Sequence, residues 1–150
     1  MLLFQFSYVK TIKELKEGAV LIGIFDFDKI EEIKSLRSDI KVLSFFKLPR
    51  ISRAQNLDAL SSQANLLGYA SVLRAAKETS DVVPMMTTAA GNIQPSKVLI
   101  LGVGVAGLQA IATAKRLGAR VWAFDIRSEA KDQVESLGAK FVEASAVKQE

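Results

Sequence analysis

Two kinds of apolar patterning alternate along this chain: unbroken runs of branched residues, and apolar residues three or four apart among charges. Within Lys10 to Lys16, Ile12 and Leu15 stand three apart among lysine and glutamate, which predicts a short amphipathic helix or turn closed by Gly18. Ala19 to Phe25 (AVLIGIF) is a continuous branched run, the pattern of a buried parallel strand. Asp28 is expected to cap a helix over Lys29 to Ser38, with Ile30, Ile33 and Leu36 on one face. Ile40 to Phe46 reads as a second strand, completing one strand–helix–strand unit.

Pro49 breaks this pattern, and Leu48 to Arg53 reads as a basic loop. Ser52 and Gln55 have the spacing of a capping box. They are expected to open a long helix from about Arg53 to Thr79, with Leu57, Leu60, Ala64 and Leu67 as its apolar stripe. Gly68 either weakens that helix or permits close packing. Val82 to Ser96, with Pro84, Gly91 and Pro95, reads as an irregular loop.

From Lys97 the signals sharpen. Lys97 to Leu101 (KVLIL) predicts a buried strand, and GVGVAG follows over Gly102 to Gly107. A helix over Val105 to Leu117 should end at Gly118. Arg120 to Phe124 should be a second strand, ending at Asp125, and Ser128 should cap a helix to Leu137, ended by Gly138. Lys140 to Val142 begins a third strand. Leu-Gly-Ala recurs at Leu117 and Leu137, as a repeated joint from helix to strand. The expected class is α/β, with parts of two Rossmann-like parallel-sheet lobes joined by a long helix. Residues 1–55 form a partial first lobe, 56–80 the connecting helix and 81–150 a partial nucleotide-binding lobe.

Composition narrows the chemistry. Of 150 residues, 49% are hydrophobic and 24% charged, an ordinary globular balance that excludes a disordered chain. There is no cysteine and no histidine, so disulfides, thiolate metal sites, cysteine nucleophiles and imidazole catalysis are excluded, and no metal is implied. The net charge of +4 is spread along the chain, without a zinc finger or a basic stripe with aromatics, so nucleic-acid binding is not indicated. No apolar run reaches the ~20 residues of a bilayer span, and the start, MLLFQFSYVK, has no basic region before its apolar stretch, unlike a secretion signal.

The GxGxxG pattern stands in the context that gives it meaning: a strand before, a helix after and an acidic residue ending the next strand. Gly102 permits the tight turn, Gly104 lets the backbone approach a pyrophosphate, and Gly107 lets the helix pack on the strand. The amides at the helix start, around Val105 and Ala106, face the negative charge. Asp125 lies eighteen residues after Gly107, near the usual spacing of about twenty, where its carboxylate can accept from ribose hydroxyls. That favours NAD over NADP, although Arg127 could hold a 2′-phosphate. Ile126 completes the candidate cofactor-binding set. A ligand-free glycine turn, or one serving FAD or an S-adenosyl group, has the same outline, and Asp125 could be a cap or surface carboxylate.

Two stretches carry a family resemblance: PRISRAQNLDALSSQANLLGY, Pro49 to Tyr69, and VLILGVGVAGLQAIATAKRLGARVWAFDIRSEAKDQVESLGAKFVE, Val98 to Glu143. Both resemble the NAD-binding domain of proton-translocating nicotinamide nucleotide transhydrogenase, and Lys13 to Phe25 is similar more loosely. The resemblance implies binding of NAD(H) and hydride exchange with NADP(H) on a separate partner domain, coupled to proton movement through a membrane domain. It implies a homodimer, peripheral to the cytoplasmic face of a bacterial inner membrane or on the matrix side in mitochondria. It also implies that Arg50, Asp58 and Ser61 position the nicotinamide end of NAD, and that Gln55 reaches toward the NADP nicotinamide. Direct hydride transfer needs two rings held face to face with water kept out, and no proton donor, so these residue types suffice. Taken alone, Ser52 and Gln55 could cap a helix, and Asp58 could favour its dipole.

Alanine dehydrogenase is the near relative of that family, but it uses a catalytic histidine, which this sequence lacks. A non-catalytic nucleotide-binding remnant is the other alternative. The family's domain is well over twice this length, and a complete dinucleotide fold has about six strands. The chain is therefore expected to be a fragment, with open sheet edges, weak NAD binding and no turnover alone.

Overall fold

The computed structural model describes residues 12–49 and 51–143. The chain divides into two compact units between Leu60 and Ser61.

In the first unit, β1 (Val20–Gly23) pairs in parallel with β2 (Lys41–Ser44), joined by α1 (Phe27–Leu36). Asp26, not Asp28, caps α1: its backbone is extended and its carboxylate accepts from the Lys29 N–H at 2.9 Å. Asp28 lies within the first turn, where its charge suits the helix dipole. Ile30 and Ile33 are buried and Leu36 is half-buried, so the expected face of α1 turns inward. Ile12, Ile33 and Ile40 form the core, with Leu15, Leu21, Phe25 and Val42 against it. The other face of β1 is open: Val20, Ile22 and Ile24 are each more than half exposed, so the strand is parallel but not buried on both sides.

Of the expected Lys10–Lys16 segment, residues 12–16 are described: 12–13 are helical and 14–15 form a turn and a bend; residues before Ile12 lie outside the described range. Arg37 holds this stretch in place. Its guanidinium donates to the carbonyls of Ile12, Lys13 and Leu15 and pairs with Asp39, whose carboxylate also accepts from Gly18 N–H. Paired with Arg37, Asp39 sits well below the ordinary carboxylate range.

The second strand ends earlier than expected, because Phe45–Lys47 coil into a 3₁₀ turn. The chain beyond Pro49 is not one long helix. Ser52–Leu57 forms a 3₁₀ segment, and α2 begins only at Ala59, running to Glu78. The capping box does not form. Ile51 holds the extended cap position without a side-chain bond, and Ser52 is already inside the tighter helix.

In the second unit, residues 82–96 are not an irregular loop. They hold an antiparallel hairpin of β3 (Met86–Thr88) and β4 (Gly91–Ile93). The Thr88 hydroxyl makes its turn, accepting from Ala90 N–H and donating to the Gly91 carbonyl. Ser96 closes its neck, donating through Oγ to the Val82 carbonyl and through N–H to the Val83 carbonyl.

Beyond the hairpin, β5 (Lys97–Leu101), β6 (Arg120–Phe124) and β7 (Lys140–Phe141) form a parallel sheet in the order β5-β6-β7. Helices α3 (Val105–Arg116) and α4 (Ala130–Ser136) make the crossovers. The core is fine-grained: Ala110, Ile111 and Ala114 of α3 meet Val121 and Ala123 of β6, with Val72, Val103, Ala130 and Val134. Strand β5 is covered on one face only; Leu99 is 56% and Leu101 73% exposed, against the expectation of full burial. Helix α4 starts two residues after the expected Ser128 cap; Glu129 precedes it without a side-chain cap bond.

Both Leu-Gly-Ala joints have one geometry. Gly118 and Gly138 have φ of +90° and +74°. The Ala119 and Ala139 amides reach back to Ala114 and Val134 at 3.0 and 3.2 Å, while the glycine amides bond Lys115 and Glu135. This is the Schellman ending, which satisfies the last carbonyls and aims the chain into the next strand.

The buried stripe of α2 also differs from expectation. Leu57 precedes the helix and is exposed, as is Leu67; Gly68 and Val72 are buried, with Leu60, Ala64 and Ala76 half-buried. A Cβ at Gly68 would collide with the Ala106 carbonyl, so the helix approaches α3 at backbone distance there. Gly68→Ala should therefore lower stability by about 1–3 kcal/mol through overpacking, despite alanine's better helix propensity. Leu67→Ala, at an exposed site, should stay within about 0.5 kcal/mol of the parent. Thermal melts of the two variants check this.

Candidate functional site

The second unit's site is built where β5 turns into α3. Gly102 makes the turn at φ +88°, and its N–H extends the sheet ladder to the Phe124 carbonyl at 2.8 Å. Gly107 is buried, and a Cβ there would collide with the Gly102 carbonyl, so no other residue lets α3 begin this close to the strand. Gly104 occupies the cap position in extended conformation, with open space where its side chain would be and no side-chain cap on the helix. The first amides of α3, from Val105 and Ala106 onward, have no partners within the helix and open toward that space. A pyrophosphate fits this donor set: a helix start lacking a capping oxygen, opened by a glycine that lets the ligand reach the backbone.

Asp125 ends the adjacent strand, and its side chain is only 7% exposed. Oδ2 accepts from Val103 N–H at 2.7 Å and from Arg127 Nη2 at 3.2 Å. Oδ1 accepts from Arg127 N–H at 2.9 Å and Nε at 3.0 Å. Arg127 Nη2 also donates to the Val103 carbonyl at 3.1 Å. The arginine's side-chain bonds, then the backbone bonds, hold the Asp125 carboxyl well below the ordinary range, so it is ionised wherever the protein is folded near neutrality. Asp125 thus ties the glycine turn to the end of β6. Leu101, Gly102, Phe124, Asp125, Ile126 and Arg127 line a cavity of about 460 Å³, with Ile126 92% exposed at its rim.

Val103 is the site residue that sequence reasoning passed over. Its side chain is 1% exposed in the core, while its N–H and carbonyl bond Asp125 and Arg127. It occupies the variable position of the glycine motif, where residue type carries no signal because the backbone does the work.

The other predicted residues belong to other segments of the chain. Arg50 falls outside the described residues. Gln55, on the 3₁₀ segment, is exposed and accepts from Asp58 N–H through its carbonyl. Gln55 and Asp58 line a cavity of about 370 Å³ in the first unit with Pro49, Ile51, Ser52 and Ala54. Asp58 precedes α2 with ψ +74°, and Ser61, half-buried, opens the second unit. Among the described residues no cluster of three His, Cys, Asp or Glu could hold a metal, and no helix is long and apolar enough to cross a membrane.

Residues 71–150 match the family model described as alanine dehydrogenase/PNT, C-terminal domain. The chain belongs to the alanine dehydrogenase/PNT family. It is 52% identical over 129 residues to the first part of NAD(P) transhydrogenase subunit alpha from Rickettsia prowazekii, and 53% over 131 residues to its counterpart from Rhodospirillum rubrum. Each match takes in 85% of this chain and 34% of the relative, so the chain spans about a third of these relatives' length. Among solved structures, the transhydrogenase from Sinorhizobium meliloti is similar at 50% identity and a TM-score of 0.84, over 90% of this chain and 41% of that one. An L-alanine dehydrogenase, 22% identical with a TM-score of 0.67 over 88% of this chain and 38% of that one, shares the fold. The parallel α/β architecture is that of this family, and the identities lie on the transhydrogenase side.

The depressed Asp125 fixes a sign for acid stability. Its pairing supports the fold above its unfolded pKa of about 3.9, and that support fades as pH falls below it. Asp125→Asn should therefore show a smaller drop in melting temperature between pH 6 and pH 3 than the parent, checked by melts across that range.

Proposed function

We propose that this chain is the NAD(H)-binding part of a proton-translocating NAD(P)⁺ transhydrogenase. The observation that carries this is the pairing of a Gly104-opened, uncapped helix start with an ionised Asp125 at the end of the neighbouring strand. That is the donor-and-acceptor pair a dinucleotide needs, for its pyrophosphate and its ribose. Identity of about half to transhydrogenase alpha relatives, over most of the chain, supports the assignment.

When bound, NAD(H) supplies the hydride acceptor or donor. The chain's own residues supply position. Amides at the start of α3 hold the pyrophosphate, and Asp125 selects an adenosine ribose with free hydroxyls, its charge disfavouring a 2′-phosphate. Arg50, Asp58 and Ser61 orient the nicotinamide end, and Gln55 reaches toward the second nicotinamide, in keeping with the family resemblance. Neither transfer nor proton movement occurs on this chain alone: NADP(H) sits on a partner domain, and protons cross a membrane domain to which this part is peripheral. We read residues 1–55 and 81–150 as parts of two lobes, 56–80 as their connection, and the assembled protein as a homodimer.

Titration of the chain with NADH and with NADPH, followed by nicotinamide fluorescence, tests the binding step. NADH should bind more tightly than NADPH. Asp125→Ala should weaken NADH at least tenfold, the effect of removing hydrogen bonds to a charged group. Equal binding of both nucleotides, or an unaffected variant, would refute the assigned seat.

A further inference from the structure

The bonding around Asp125 carries more than a ribose seat. A carboxylate offers about four lone-pair positions, and all are engaged here. Each oxygen accepts one backbone N–H, from Arg127 on Oδ1 and from Val103 on Oδ2. Each also accepts one guanidinium N–H, Nε on Oδ1 and Nη2 on Oδ2. The two kinds of bond differ in what can undo them. The backbone pair is part of the turn itself. The guanidinium belongs to a side chain that is 59% exposed and that also donates from Nη2 to the Val103 carbonyl.

A vicinal ribose diol brings two donors, the same number the guanidinium presents, one for each oxygen. We infer that Arg127 is an internal competitor of the ribose: its guanidinium and the nucleotide's diol contend for the same two positions on Asp125, so binding requires Arg127 to swing away. The inference rests on the dinucleotide reading of this site and adds the residue that regulates access to it. The competition also sharpens selection. A diol replaces both bonds that Asp125 loses, the Val103 carbonyl giving up its own bond from Nη2 in either case, whereas a ribose with one free hydroxyl replaces only one and leaves Asp125 short of a donor in a nearly closed position. Arg127 therefore raises the threshold for any nucleotide that cannot present both hydroxyls.

The test compares NADH affinity of the full chain with that of Arg127→Ala and Arg127→Lys. Because a largely exposed ion pair contributes modestly, Arg127→Ala should bind NADH about two- to five-fold more tightly. Arg127→Lys, with one ammonium in place of a two-pronged donor, should fall between. An affinity in Arg127→Ala that is unchanged or weaker overturns the inference, since the arginine would then be neutral or a direct nucleotide contact. A second reading needs no variant. The Arg127 Nε–H resonance of the parent chain should shift and exchange faster with water on saturation with NADH; a resonance that stays put overturns the inference. Failure of the dinucleotide reading looks different: neither the parent nor Arg127→Ala binds NADH, and the inference falls with it.

Discussion

A carbonyl oxygen, that of Gly102, sits where a side chain at position 107 would begin. The second unit depends on this contact. It lets α3 start directly over the end of β5, which places the helix's unpaired amides beside the strand turn and beside Asp125. One residue earlier, the Ala106 carbonyl is met from another direction by Gly68 of α2. The first turn of α3 is thus gripped at two successive residues by backbone-distance contacts, each allowed by a missing Cβ. Small residues continue the theme through Ala110, Ala114, Ala119 and Ala123, so that layers close without large side chains between them.

Two arginine–aspartate pairs, each two residues apart in sequence, show how one chemistry serves different ends. Arg37 is 22% exposed and spends its donors on three carbonyls as well as Asp39, securing the start of the first unit. Arg127 is 59% exposed and grips chiefly Asp125. The first pair is a structural staple held by many bonds. The second joins a nearly closed acid, held by two backbone amides, to a largely exposed base.

Much of the second unit was legible in the sequence. The run KVLIL, the glycine spacing, and the two Leu-Gly-Ala stops located β5, α3, β6 and α4 within one or two residues, because each signal is local. Glycine at positive φ after a helix, and branched runs between such stops, leave few alternatives. Errors gathered where two local solutions compete. Asp26 and Asp28 can each cap α1, and only the path from β1 selects the first. Ser52 and Gln55 fit a capping box, yet the chain leaving Pro49 tightens into a 3₁₀ segment that consumes Ser52. The hairpin of β3 and β4 hides in fifteen residues of turn-like composition, since three-residue strands carry no readable period.

The residue types alone determined the α/β class, the glycine turn and the candidate acid at Asp125, because those follow from steric permission and charge at fixed spacing. Only the tertiary structure decided which face of α2 is buried, since Gly68 is chosen by the nearness of another helix's carbonyl, not by hydrophobicity. It alone made Val103 a site residue through its backbone, and it alone filled the lone pairs of Asp125 with Arg127. Burial and hydrogen-bond occupancy are properties of what lies across space, and a linear spacing rule carries no term for them.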